Sequence, residues 1–328
     1  MTRLRTIVLS ILMVAVGSAQ AVAQDKYPSK PVRVLVPYGP GSATDIVIRI
    51  IGEQARAMLG QPFVVENKPG AFGIIAIEEM ARAKPDGYTL QVGNSGTNAV
   101  APTIYRKKFT LDYEKEVVAV TRLSEVPLVL ATTTRDFPPK TYAELITYAK
   151  ANPGKVRYAS VGIGSNNHYD TEAFARWAGI ELVHIPNKGG GAAITNDLVS
   201  GDAQMAFVNA ASSLGMIKAG TLRALAVMSE QRVPEYPDLP TLRELGYAAG
   251  EPLWAALFAP AGVPRDVLEM LQREMVQVLE SEPVRTAFAK QMIQAAPQRS
   301  LDEAQAWYRA EMASWKKLTD EVKVELVD

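Results

Sequence analysis

From Val32 to Met58 the chain writes a single unit: an apolar strand (Val32, Val34, Leu35, Val36), a tight turn from Tyr38 to Asp45, and an amphipathic helix. This constrains the fold most, because a strand feeding a helix through such a turn is the opening of a layered α/β arrangement. The turn, Tyr38-Gly39-Pro40-Gly41-Ser42-Ala43-Thr44-Asp45, aims backbone N–H groups and a helix dipole at one point, which suits an anion. Gly39-Pro40-Gly41 leaves no bulky side chain between those amides and a neighbouring cleft. Ser42 and Asp45 also fit a capping box, in which case they only satisfy backbone donors.

The unit then recurs. Phe63 to Glu66 reads as a strand and Gly73 to Ala83 as a helix with Ile74, Ile77 and Ala81 on one face. Tyr88 to Val92 is the next strand, and Gly93 to Asn98 a polar loop at its end, with Asn94, Ser95 and Thr97 as candidate ligand contacts. Val117 to Val120 and Val126 to Thr132 follow as strands. Thr141 to Glu144 opens a helix that stops at Asn152-Pro153-Gly154. Strands Val156 to Ala159, Leu182 to Ile185 and Gln204 to Val208 each deliver a further polar loop. Those loops contribute Gly164, Ser165, Asn166 and His168, then Asn187, Lys188 and Gly189, then Asn209.

Five strand ends thus carry loops of Gly, Ser, Thr and Asn, and in open parallel sheets ligands bind outside the carboxyl ends of strands. The expected fold class is α/β, two domains, each a mostly parallel sheet flanked by helices. Leu253 to Ala259 reads as a strand returning to the first domain, and helices near Pro264 to Leu279 and Leu301 to Leu318 finish it. Domain 1 is then discontinuous, residues 24–126 plus 252–328, domain 2 spans 127–251, and the ligand occupies the cleft between them.

Residues 1–23 read as a secretion signal: Arg3 and Arg5, an apolar run from Ile7 to Val16, and Ala21-Val22-Ala23 as a small-x-small cleavage site. The run is too short for a bilayer, and no later apolar stretch is long enough to span one, so a soluble periplasmic protein is expected. There is no cysteine, which leaves neither a lipid anchor nor a disulfide framework. With 35 basic and 35 acidic residues the chain shows no basic excess for nucleic acid.

Enzyme motifs are missing: no phosphate-binding P-loop, no G-x-S-x-G elbow, no H-E-x-x-H, and no G-x-G-x-x-G at the first strand-helix turn. Of the two histidines, His184 lies in a strand pattern and reads as a satisfied core or interface residue. His168 begins a helix, where the dipole disfavours an imidazolium, so a neutral capping role fits it. Neither a catalytic residue, a metal site nor a cofactor is expected. Ser165 has no obvious base nearby in sequence, which leaves a partner brought close in space, such as His184. Trp177, Trp307 and Trp315 fall in helical patterns and are expected to pack; Trp254 is expected in the core, with a pocket wall as the alternative.

The whole mature chain resembles the Bug family of extracytoplasmic solute receptors, the substrate-binding components of tripartite tricarboxylate transporters. The resemblance rests on Pro37-Tyr38-Gly39-Pro40-Gly41 with Asp45, Gly60 to Gly70, Lys84-Pro85-Asp86-Gly87-Tyr88-Thr89-Leu90, Ala151 to Lys155, Gly164-Ser165 with His168, His184-Ile185-Pro186 with Lys188-Gly189, Leu225-Ala226-Val227, Pro237 to Thr241, and Ala259-Pro260-Ala261-Gly262. It implies a Venus-flytrap fold of the type II-like periplasmic-binding kind that closes on a small carboxylate. It also implies that Gly41 to Asp45 and, facing them, Gly164, Ser165 and His168 hold one carboxylate. The implied partners are a small di- or tricarboxylate or aromatic carboxylate, and membrane transporter subunits or a signalling receptor; the receptor itself is expected to be monomeric. The alternatives are a ligand-presenting sensor and a periplasmic hydrolase. Ser42, Asn187, Ala192 and Ala256 depart from the family pattern, and Val208 replaces an acid often found there, which disfavours an amino-acid ligand.

Overall fold

The computed structural model describes residues 27–187, 190–229, 231–234, 236–247, 252–322 and 324, so the expected signal segment, Lys188 and Gly189 lie outside the described residues. The chain runs β1 (Val32–Val36), α1 (Ala43–Leu59), β2 (Phe63–Asn67), α2 (Ile74–Ala81) and β3 (Thr89–Asn94). A wide helical turn over Gly96–Val100 leads into α3 (Ala101–Ile104), then α4 (Tyr113–Glu116), β4 (Val117–Val126) and β5 (Leu128–Thr133). Next come α5 (Tyr142–Ala151), β6 (Val156–Ser160), α6 (Asn166–Ala178), β7 (Leu182–Pro186), α7 (Gly190–Ser200), β8 (Met205–Asn209), α8 (Ala210–Lys218) and β9 (Leu222–Met228). The last elements are β10 (Leu253–Pro260), α9 (Arg265–Glu280), α10 (Glu282–Lys290), β11 (Gln294–Ala295) and α11 (Leu301–Glu321).

Two sheets result. The first has the order β11-β4-β10-β3-β1-β2, the second β7-β6-β8-β5-β9. Both are mixed, whereas the strand-helix rhythm predicted mostly parallel ones. β1 pairs in parallel with β2 and β3, and β6 with β7 and β8, but β10 runs antiparallel to β3 and β4, and β5 antiparallel to β8 and β9. The reason is topological. The chain leaves the first sheet through β4, crosses at Pro127 into β5, and later returns into β10. An excursion that goes out and comes back places its outgoing and returning strands side by side in opposite senses, Val126 against Leu253 and Leu128 against Met228.

Strand alternation distributes the core. Val32, Val34 and Val36 pack with Val47, Ile48 and Ile51 of α1 and with Leu271, Met275 and Leu279 of α9, while Leu35 points to the opposite face, with Ile77, Met80 and Phe258. Each such fully buried side chain contributes about 1.5–3 kcal/mol. In the second sheet Tyr158, Met205 and Phe207 share one side with Phe174, and Ala159, Ala206 and Val208 the other with Ile194 and Leu198. Trp254 is buried in the first-sheet core and donates from Nε1 to Glu311 (2.7 Å). Trp177 departs from expectation: it is 46% exposed, its ring leaning on Tyr247 at the surface. No helix among the described residues is long and apolar enough to cross a membrane.

Candidate functional site

The turn after β1 is pinned from behind. Ser42 caps α1, its Oγ accepting from the Asp45 N–H at 3.3 Å. The Asp45 carboxylate does not reach forward; it accepts from the Gly41 N–H (2.9 Å), from Arg49 Nε (2.9 Å) and from Asn67 Nδ2 (2.9 Å). Burial opposes its ionisation, but the Arg49, Gly41 and Asn67 donors outweigh that and hold its carboxyl below the usual range. Gly41 has φ +79°, a conformation that glycine takes without strain. Capping thus accounts for Asp45, whereas Ser42 Oγ caps the helix as an acceptor and keeps its O–H to donate, and Gly41 spends its amide on Asp45. Ala43 and Thr44 keep the first-turn amides that the cap does not use.

Asn94 ties this turn to the end of β3. It accepts from Tyr38 OH at 2.8 Å and from the Thr97 N–H at 3.1 Å, and donates to Thr44 Oγ1 at 3.3 Å. Burial pushes the Tyr38 phenol up to about 12, so it stays a neutral donor. Ser95 and Thr97 are buried at the helical turn that replaces the predicted loop, and Thr97 Oγ1 accepts from the Asn94 N–H at 3.2 Å.

On the facing half, Ser165 Oγ lies 2.6 Å from Gly162 O and 2.9 Å from Asn167 Oδ1, and the Gly164 N–H donates to His168 Nδ1 at 3.0 Å. His168 is thus a neutral acceptor. Burial and the adjacent His184 push its pKa down to about 3, and burial pushes His184 down to about 4. The two imidazoles stack at 3.8 Å, His184 also stacks on Tyr158, and His184 Nε2 meets Ser160 Oγ at 2.6 Å. His184 is occupied by Ser160 and does not serve Ser165 as a base. Asn187 turns to Asp197 (2.9 Å).

A cavity of about 400 Å³ lies between the two halves. The predicted residues Tyr38, Pro40, Gly41, Ser42, Ala43, Thr44, Asn94, Asn166 and Asn209 line it. Asp45, Ser95, Thr97, Gly164, Ser165, His168 and Asn187 do not. Four helices, α1, α6, α7 and α8, present residues of their first turns to this space, Ser42 to Thr44, Asn166, Gly191 and Asn209 among them. No Lys, Arg or His is found among its described lining residues. Helix ends, hydroxyls and amides therefore supply the favourable potential for an anion.

Apart from Val208, the apolar part of the wall was not anticipated: Leu128 and Leu253 at the two crossings, Phe207 beside Val208 near the end of β8, and Ile194 and Met216 on the helices. Asn167, Thr195, Asn196 and Ser212 add polar groups. A larger space of about 830 Å³ lies elsewhere, between α11, α3 and α4, away from the convergent strand ends. Size does not single out the site; the convergence of strand ends and helix starts does.

Two α/β sheets joined by crossing strands around a polar cleft define a solute receptor of the periplasmic-binding type, and the known proteins it resembles agree. The chain is 31% identical to the solved periplasmic binding protein BugD, with a TM-score of 0.81 over 91% of this chain and 99% of that one. It is 29% identical to a Rhodopseudomonas palustris protein solved with adipate, with a TM-score of 0.84 over 92% and 100% of the two chains. It is 34% identical to the protein BugT of Bordetella pertussis over 316 residues, 94% of this chain and 96% of that one. The profile of the tripartite tricarboxylate transporter family receptor, TctC, matches residues 47–323, and the chain belongs to that family. It is a family of solute-binding receptors, not of enzymes.

Proposed function

We propose that this receptor captures a small carboxylate in the cleft between two domains, residues 24–126 plus 252–328 and residues 127–251, and that it does so without chemistry. The observation that carries the reading is the cavity where the first turns of four helices meet with no charged side chain among the described lining residues. A carboxylate entering it exchanges water for the Ala43 and Thr44 amides, the Ser42 hydroxyl, and the Asn166 and Asn209 side chains. Its body lies against Leu128, Phe207, Val208 and Leu253. Closure is favoured to the extent that the ligand touches both halves.

The relative solved with adipate supports a carboxylate as the class of ligand. Val208 supports a plain di- or tricarboxylate or an aromatic carboxylate over an amino acid, because an apolar wall offers an ammonium group nothing. Residues 1–23 then export the protein to the periplasm, and membrane transporter subunits receive the ligand from it. The test is a thermal-shift screen of the mature protein against a carboxylate panel. Binding to the native state raises the melting temperature, by an amount set by about 2.7 kcal/mol at a hundredfold excess over Kd. A panel that leaves it unmoved overturns the reading, as does tight aspartate or glutamate binding for the part concerning the ligand's amine.

A further inference from the structure

We infer that Tyr105 and Phe72 are positioning residues for ligand capture: they hold the turn Gly162-Ile163-Gly164-Ser165, and with it the start of α6, over the cleft. The inference rests on the proposed two-domain closure. That turn belongs to the second half. Its internal bonds, Ser165 to Gly162 and Gly164 to His168, set its shape. They do not set where it stands relative to the first half. Further along α6, Tyr169 packs into the first-sheet cluster and Arg176 donates to Glu321 O, but two contacts from the first half bear on the turn itself. The Tyr105 OH, at the end of α3, donates to Ile163 O at 3.1 Å. The Phe72 ring stacks on Tyr105 with centroids 4.6 Å apart, and its Cε1 lies 3.9 Å from the place where a side chain on Gly162 would begin.

Phe72 is held in this place by an unusual backbone. Ala71 and Phe72 are consecutive non-glycine residues with φ of +45° and +54°, in the left-handed region that side chains disfavour. Phe72 is nevertheless 43% exposed, so no core burial accounts for the conformation. Such outliers persist where the surroundings use them, and here the ring is aimed across the two halves. Tyr105, by contrast, is buried, with its phenol pushed up to about 12 by that burial and by Tyr169, so it remains a hydrogen-bond donor at any ordinary pH. The first α6 residues, Asn166 and Asn167, follow the held turn directly and line the cavity. Placing the turn therefore places one wall of the site.

The chain has no cysteine, so two exposed positions, Arg56 on α1 and Lys150 on α5, can be changed to cysteine and spin-labelled in the otherwise intact protein. Pulsed electron resonance then reads the distance between the halves, without ligand and with adipate or whichever panel carboxylate gives the largest thermal shift. Tyr105→Phe removes one hydrogen bond and keeps the ring; Phe72→Ala removes the stack. We expect Tyr105→Phe to lengthen the ligand-free distances or weaken carboxylate binding roughly fivefold, and the double variant to do more. Circular dichroism melts control for folding, and Tyr105→Phe serves alone if the double variant is unstable. Distances and affinity both equal to the parent's would overturn the inference. Failure of the proposed function reads differently: no carboxylate narrows the distances in the parent itself.

Discussion

Asn166 Oδ1, on the second half of the molecule, sits 3.2 Å from the point where a side chain on Gly96, in the first half, would begin. Asn94 Oδ1 and Tyr38 OH each stand 3.3 Å from the same point. A methyl group there must push at least one of them back by a few tenths of an ångström, and a larger side chain must separate the halves. Gly96→Ala is expected to fold within about 1 kcal/mol of the parent, because Gly96 lies outside the left-handed region and the three crowding atoms are ends of side chains. Gly96→Val is expected to weaken carboxylate binding by more than roughly tenfold, about 1.4 kcal/mol. Calorimetry on the two variants checks this, and parent-like binding by Gly96→Val rules out close approach of the halves at this residue.

Gly93 is a matter of stability. A Cβ there would overlap Asn98 Oδ1, and Asn98 is tied in place: it is fully buried and donates from Nδ2 to Gln91 (3.1 Å) and to Tyr113 (2.9 Å). Gly93→Ala must break that network or displace β3. The expected loss is about 3 kcal/mol, read from the urea midpoint, and an unchanged midpoint means that Asn98 has another place to go.

The same network explains what the sequence hid. Gly93 to Asn98 is composed of turn-forming residues and reads as a loop, yet Asn98 folds back under Gly93 and lets the helical turn begin at once. Strand ends could be read because the apolar residues of β1, β3, β6 and β8 give way within a few positions to Gly, Ser or Asn, and those ends do surround the cleft. Which side chains face it was legible only in part: Tyr38, Ser42, Thr44, Asn94, Asn166 and Asn209 do line it. Ser165, His168 and Asn187 look like ligand contacts in one dimension, but Gly162 O, the Gly164 N–H and Asp197 claim them. Leu128 and Leu253 look like core residues and become cleft wall because the chain crosses between sheets at those two points. Local propensity does not encode partners tens of residues away.

Asp45 supports the anion-facing turn without touching the cavity. Asp45→Asn removes the charge that Arg49 pairs with and one of the two acceptor oxygens, of which Gly41 uses Oδ2 and Asn67 uses Oδ1. A loss of about 1–3 kcal/mol in folding stability is expected, larger than the roughly 1 kcal/mol for Ser42→Ala, which deletes only a cap. Since the folded carboxyl ionises below its usual range, the contribution is present above about pH 4 and disappears as the pH falls through the lower folded value. Equal effects of the two substitutions in chemical denaturation would contradict the pinning role.

The stacked histidines give a second, separable pH dependence. In the unfolded chain both take up protons near pH 6.5, while the folded protein resists until about pH 4 at His184 and about 3 at His168. The unfolded state therefore binds more protons throughout that window, and stability falls as the pH drops from about 6.5 toward 4. Each histidine contributes a slope of at most about 1.4 kcal/mol per pH unit. His184→Phe keeps a ring against Tyr158 and removes one titrating group, so its stability is expected to vary less steeply with pH than the parent's. Parallel curves for the two proteins would show that His184 is not held neutral by folding.

Val208 decides what the ligand can carry. It is the last residue but one of β8, paired with Val129 of β5, and is buried at 3% exposure in the cleft wall. An aspartate there shares the cavity with the ligand's own carboxylate. With no cationic side chain among the described lining residues, their repulsion has nothing to offset it. Val208→Asp is therefore expected to lose the response to plain carboxylates. Val208→Asn, of similar size and without charge, separates electrostatics from the cost of a polar group in an apolar wall: it is expected to keep at least part of the response. If the aspartate variant gains binding of an amino acid while losing the plain acid, the residue acts as a selector for the ligand's amine. Loss in both variants alike would assign the effect to packing. Retention in both would remove Val208 from the ligand's surroundings.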